Sequence, residues 1–184
     1  MKVILAITGA SGAIYGIRTL EELKKAGCSV YLIISETAKK IIRHETPYSV
    51  DDLISAADKY FDEEEISAEA ASGSFLHDGM AIVPCSLKTM GAVASGYTDN
   101  LITRAAVCSL KEGRRLVIVP RETPLDLISL ENMVKLKRSG VVMLPAMPAF
   151  YHKPEKIGDV VNHVVGKILD QFDIGHELFK RWDG

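Results

Sequence analysis

At 184 residues, with 47% hydrophobic and 25% charged side chains, the chain can close one substantial core and is too apolar to be disordered. A formal charge of −2 without any basic block excludes an extended nucleic-acid surface. The opening apolar run is too short for a signal peptide, Pro145 and Pro148 break the run from 140 to 150, and the three cysteines form no CxxC pair. These features predict a cytoplasmic protein with reduced thiols, no membrane segment and a single domain over residues 1–184.

In chain order, Val3–Ile7 reads as a strand apolar on both faces, followed by the turn Gly9-Ala10-Ser11-Gly12 and a helix over about 13–25. Val30–Ile34 is a second strand, and Ser35 a cap for a helix towards Arg43. The acidic stretch 62–65 and Ser72-Gly73-Ser74 read as an irregular, exposed excursion. Further strands are predicted at 80–83, 116–119 and 141–144, with helices at 87–94, 99–112 and 126–139. A last helix from about Pro154 carries an apolar stripe of Ile157, Val160, Val161, Val164, Ile168 and Phe172. Alternating strands and helices predict an α/β fold with a parallel sheet, in which ligands bind beyond the carboxyl ends of the strands.

The segments at those ends are 9–12, 35–36, 84–89, 120–124 and 145–153. The glycine-rich first turn suits a phosphate at a helix start, or is simply a compact connection. Ser86, in Pro84-Cys85-Ser86-Leu87-Lys88-Thr89, either caps a helix or lines the same kind of anion site. Arg121 and Glu122 follow an apolar strand; the guanidinium could grip a phosphate, or the two could form a surface pair. Arg104 and Lys111 lie seven residues apart on one helix face, about 10 Å along the axis, where solvation is the ordinary state, as it is for Lys167. Pro145–Tyr151 is an apolar loop ending in two aromatics. Trp182, the only tryptophan, suggests docking onto a surface. Glu45 lies near a helix end, where its charge opposes the dipole.

Taken together, Thr8–Gly12, Glu45-Thr46-Pro47-Tyr48, Ser72–Phe75 with Asp78-Gly79-Met80, Pro84–Thr89, Arg104-Ala105-Ala106, Leu110–Arg114, Val119–Leu125, Leu130–Met133 and Pro148–Tyr151 occur in one order along almost the whole chain. In this the sequence resembles the UbiX/Pad-type flavin prenyltransferases of the flavin-dependent decarboxylase-like superfamily. The resemblance implies a three-layer αβα, flavodoxin-like (Rossmann-like) fold, a homo-oligomer that is commonly a dodecamer, and active sites between subunits. It implies reduced FMN as acceptor, dimethylallyl phosphate as donor, prenylated FMN as product, a UbiD-type decarboxylase as recipient, and no metal.

By the same resemblance, Gly9, Ala10, Ser11, Ser35, Ser86, Leu87, Lys88, Thr89 and Arg121 match FMN-binding positions. Arg104, Lys111, Arg121, Tyr151 and Lys167 match the prenyl-phosphate site, where Lys167 stands for a frequent Arg and loses its fork. Ser11, Glu45 and Glu122 match catalytic positions. Trp182, with Tyr151, is a candidate aromatic face for the allyl cation.

Three other readings compete. A cysteine decarboxylase of the superfamily would carry a Pro-Ala-Ser-Ala-Asn-Thr string where Pro84–Thr89 stands. A dinucleotide-dependent dehydrogenase is loosely mimicked by Gly9, Gly12, Gly16 and Glu36, yet no tyrosine has a lysine four positions later. A non-catalytic flavin carrier would leave Arg104, Lys111 and Lys167 without a purpose.

Overall fold

In the computed structural model, which describes residues 1–182, the first apolar run forms β1 (Lys2–Ile7) at the middle of a six-stranded sheet. The other strands are β2 (Ser29–Ile34), β3 (Lys59–Asp62), β4 (Gly79–Cys85), β5 (Arg115–Pro120) and β6 (Val142–Met143). Their spatial order is β3-β2-β1-β4-β5-β6, and every neighbouring pair is parallel.

Side chains alternate across a strand, so Val3, Leu5 and Ile7 pack on one face and Ile4 and Ala6 on the other. The first face is covered by α1 (Ala13–Lys25), α2 (Glu36–Glu45), α3 (Val50–Ala56) and α7 (Ile157–Asp170). The second is covered by α4 (Leu87–Ser95), α5 (Leu101–Lys111) and α6 (Leu127–Arg138). Both faces are therefore dry, which is why the strands read as unbroken apolar runs. The result is the parallel α/β sheet that the apolar patterning predicts, in the three-layer, flavodoxin-like arrangement that the family resemblance implies.

The differences lie at the edges. A sixth strand, β3, has only Phe61 buried; its neighbours are charged or half-exposed, so it leaves no alternation long enough to read. α3 begins with a reciprocal cap, Ser49 Oγ accepting from the Asp52 amide while Asp52 accepts from the Ser49 amide, a Ser-x-x-Asp signal the sequence does contain. β6 pairs over two residues rather than four because it is the outer strand on that side.

α7 starts at Ile157, not Pro154, where Asp159 turns back to accept from the Glu155 and Lys156 amides. Ile157 is consequently exposed and drops out of the stripe, while Phe172 is buried just beyond the helix end. The excursion around 62–75 is mostly exposed, but Ala70 and Ala71 are buried, and Arg114 donates to the Phe75 and Gly73 carbonyls to hold it down. Cys28, Cys85 and Cys108 are free and buried. No helix among the described residues is long and apolar enough to cross a membrane.

Candidate active site

The chain leaves β1 towards α1 on one face and β4 towards α4 on the other, so a crevice opens between the carboxyl ends of these adjacent strands. Thr8 closes its floor: its hydroxyl donates to the Pro84 carbonyl at 2.9 Å and accepts from the Ser86 amide at 2.8 Å. Thr8 was not singled out from the sequence, although it stands beside the glycine turn. Around the crevice, the Ser35 amide donates to the Ile7 carbonyl at 3.0 Å, and a Cβ on Gly9 would lie 2.6 Å from Thr37 Cγ2. The first turn thus lies directly against the start of α2, at a distance only glycine tolerates. Gly9, Ala10, Ser35 and Ser86–Thr89 accordingly border one crevice.

Two helix starts at this edge carry serine caps. Ser35 Oγ accepts from the Ala38 amide at 3.1 Å, and Ser86 Oγ accepts from the Thr89 amide at 3.2 Å while donating to Thr89 Oγ1 at 3.0 Å. The third start is different. Gly12 has no side chain with which to cap α1, and Glu45 fills that place: its Oε2 accepts from the Gly12 amide at 2.7 Å and the Ala13 amide at 3.3 Å. Burial pushes the Glu45 carboxyl up, but hydrogen bonds from Ser11, Gly12 and Ala13, with the Arg121 charge, outweigh this and hold it below the usual carboxylate range.

A phosphate at the first turn, as the glycines suggest, would meet this carboxylate; the amides that would bind it are already paired. At α2 the Glu36 amide donates to Glu63 Oε1 at 2.6 Å, so the anion site that remains is the start of α4. Glu45 therefore sits at a helix start in space, although in sequence it ends α2.

Because its folded-state pKa is depressed, Glu45 stabilises the fold above the unfolded value of about 4.3, and the effect fades as pH falls through the folded value. Glu45→Gln is expected to cost about 0.5–1 kcal/mol at pH 7, kept small because the carboxylate is exposed, with the gap to wild type closing below pH 4 in urea titrations.

Arg121 extends from β5 across the same crevice, its Cδ 3.8 Å from where a Gly12 Cβ would stand. Its Nε is buried with no hydrogen-bond partner among the described residues. A guanidinium N–H left orphaned at this strand edge, next to the Gly12 turn, fits a phosphate-bearing ligand such as FMN. Glu122 next to it is exposed, with Oε1 accepting from the adjacent Thr123 amide at 3.1 Å.

The remaining cations do not join this crevice within one chain. Arg104 and Lys111 are on α5, on the second face, while Lys167 is on α7, on the first. Arg104 Nε donates to the Ala71 carbonyl at 3.2 Å beside a cavity of about 390 Å³ lined by Ser67, Ser72 and Thr98. Lys111 lies at the far end of α5, near the amino end of β5, paired with Glu112 at 3.4 Å.

Lys167 pairs with Asp170 at 3.0 Å, a partner its i,i+3 spacing could have revealed. Asp170 also accepts from Arg181 at 2.6 Å and lies 3.2 Å from His176 Nε2. Arg181 above all, helped by Lys167 and opposed by burial, drives its carboxyl far below the usual range. Tyr151 and Trp182 meet edge to face at 5.8 Å. Tyr151 and Lys167 line a cavity of about 510 Å³ along the β6 side of the sheet. A single cradle containing Arg104, Lys111 and Lys167 is thus not built by one copy, because the sheet lies between α5, which carries the first two, and α7, which carries the third.

The fold and this crevice define a flavoprotein, and the family model described as Flavoprotein matches residues 1–169. The flavin prenyltransferase UbiX of Thauera aromatica is 48% identical over 184 residues, covering all of this chain and 95% of the relative. A crystal structure of AnUbiX in complex with FMN and dimethylallyl pyrophosphate superimposes with a TM-score of 0.98 at 43% identity, covering 100% of this chain and 97% of the other. A dodecameric FMN-dependent UbiX-like decarboxylase from Escherichia coli O157:H7 does so with a TM-score of 0.98 at 48% identity, covering both chains fully. The chain belongs to the UbiX flavin prenyltransferase family.

Proposed function

We propose that this chain transfers the dimethylallyl group of dimethylallyl phosphate to N5 and C6 of reduced FMN, making prenylated FMN for a UbiD-type decarboxylase in the cytoplasm. The observation that carries this reading is the buried, partnerless Nε of Arg121 at a crevice with two serine-capped helix starts. We read residues 1–184 as one FMN-binding domain, with Gly9, Ala10, Ser11, Ser35, Ser86–Thr89 and Arg121 as its FMN contacts.

Reduced FMN supplies the nucleophilic nitrogen and carbon. The protein's part is to stabilise the leaving phosphate, which takes the electron pair of the broken C–O bond as N5 gives up its proton, and to move the proton that is added to the prenyl double bond and the one lost from the ring carbon when the second bond forms. Arg121 serves the leaving phosphate in its own crevice. Arg104, Lys111 and Lys167 serve it from other copies, since they lie on opposite faces of the sheet. Tyr151 and Trp182 offer π faces to the allyl cation, worth about 2 kcal/mol when desolvated. Exposed Leu127, Ile128, Leu130, Val134, Met147 and Phe150 supply apolar surface for a homo-oligomer, a dodecamer in this reading.

Glu45 is a weak base, tied up by Ser11 and two amides; Glu122 is exposed and is assigned the proton lost from the ring carbon. Glu122→Gln is expected to retain FMN and lower prenyl transfer by about 10²–10⁴-fold. The test is anaerobic incubation with reduced FMN and dimethylallyl phosphate, followed by mass spectrometry of the flavin. CO2 released from a phenolic acid by the protein alone would replace this reading with a decarboxylase, and unmodified flavin without CO2 would replace it with a non-catalytic flavin carrier. An unimpaired Glu122→Gln would remove only Glu122.

A further inference from the structure

His163 stands on α7, 6% exposed as a residue, lining the same cavity as Tyr151 and Lys167. Its Nδ1 accepts from the Ala149 amide at 3.3 Å. An accepting Nδ1 carries no proton, so the neutral ring is held as the Nε2–H tautomer. That bond ties the Pro145–Tyr151 loop, which has no strand or helix of its own, to the rigid helix. His152 stacks on His163 with centroids 5.1 Å apart and planes 7° from parallel, and both its ring nitrogens are buried without partners among the described residues. Tyr151 stands edge-on to the two histidines at 5.8 and 5.6 Å, and Phe179 packs on His163 at 4.7 Å.

We propose that His163 is a positioning residue for Tyr151: its neutral ring holds the loop that presents Tyr151 to the prenyl group, and its protonation releases that loop. The inference rests on Tyr151 being part of the prenyl site, as read above. A protonated ring would point an Nδ1–H at the Ala149 N–H, donor against donor. It would also place a second cation near Lys167. The other titratable groups facing this cluster are His152 and Tyr151 from the loop, Asp170 from α7, and His176 and Arg181 from the C-terminal segment, the last two both on Asp170. Burial, then His152 and Lys167, lower the affinity of His163 for a proton, and Asp170 opposes them. The release therefore falls on the acid side of the ordinary histidine value of about 6.5, and the anchored form persists above it.

Two variants separate the anchor from the titration. His163→Asn keeps an acceptor where Nδ1 stands but does not titrate; His163→Leu removes the acceptor. Trp182, the only tryptophan and 5.8 Å from Tyr151, reports the loop without any substrate. Its fluorescence is expected to titrate below pH 6.5 in the wild type and to be flat in His163→Asn.

In prenyl transfer, His163→Leu is expected to lower kcat/KM for dimethylallyl phosphate about tenfold at pH 7.5 through KM, with FMN affinity unchanged. His163→Asn should approach wild-type activity and lose the part of the acid limb not shared with phosphate ionisation. An identical fluorescence titration in His163→Asn, or a wild-type KM in His163→Leu, overturns the proposal. Absence of prenylated flavin from every variant including wild type, with the fluorescence titration intact, would instead overturn the function while leaving the anchor standing.

Discussion

Arg121→Ala is expected to lower kcat/KM for prenyl transfer by about 10²–10³-fold, the usual cost of removing one preorganised donor from a site where charge develops. FMN affinity should fall with it, since the same guanidinium faces both phosphates in the proposed site. The stability of the protein without flavin should move the other way. The Arg121 Nε is buried and makes no hydrogen bond, so the side chain carries an unmet desolvation cost, for which about 1–3 kcal/mol is typical. Deleting it removes that cost and breaks no hydrogen bond of that nitrogen. Arg121→Lys keeps the charge but not the fork, and is expected to recover only part of the activity. Flavin titration and urea unfolding of the same three proteins decide the matter. An alanine variant that binds FMN normally, or that loses apo stability as much as flavin affinity, would show Arg121 to be a structural residue.

Gly16→Ala is expected to destabilise the protein by about 3 kcal/mol, at the upper end of overpacking costs, and to lower Tm by roughly 6–12 °C for a chain of this length. A Cβ at Gly16 would stand 2.3 Å from the Val83 carbonyl oxygen and 2.9 Å from Ile7 Cγ1. The first of these is sheet backbone and cannot rotate away, so α1 must lift off the sheet. Alanine's better helix propensity returns only about 1 kcal/mol. Ile7 and Val83 immediately precede Thr8 and Pro84, so the same displacement should loosen the crevice floor and weaken FMN binding. Gly158→Ala is the control: its Cβ would meet nothing within 4 Å in the first turn of α7, and it should be neutral or slightly stabilising. Equal Tm values for Gly16→Ala and Gly158→Ala would contradict the packing argument.

This close approach also explains why Gly9, Gly12 and Gly16 mimic a dinucleotide loop. Each glycine answers a local contact: Thr37 against Gly9, a left-handed φ of 96° at Gly12, and sheet backbone against Gly16. Spacing alone reports that the backbone is crowded, not which ligand or side chain crowds it. Loop 84–89 read well because a strand end, a serine cap and a helix start are consecutive in sequence. β3 and Asp170 were missed for opposite reasons. The first buries a single side chain and so leaves no periodic trace. The second carried an i,i+3 signal that is common on any helix surface.

The sequence alone determined the alternation of elements, the parallel sheet with both faces covered, and the edge of that sheet at which chemistry belongs. These follow from apolar periodicity and caps, which act over a few residues. Only the tertiary structure decided that Glu45 rather than a phosphate occupies the start of α1, that Arg121 keeps a buried donor unpaired, and that Arg104 and Lys111 lie across the sheet from Lys167. Those facts depend on residues tens of positions apart meeting, or failing to meet, across a packed core. No local pattern records the direction in which a side chain finally points.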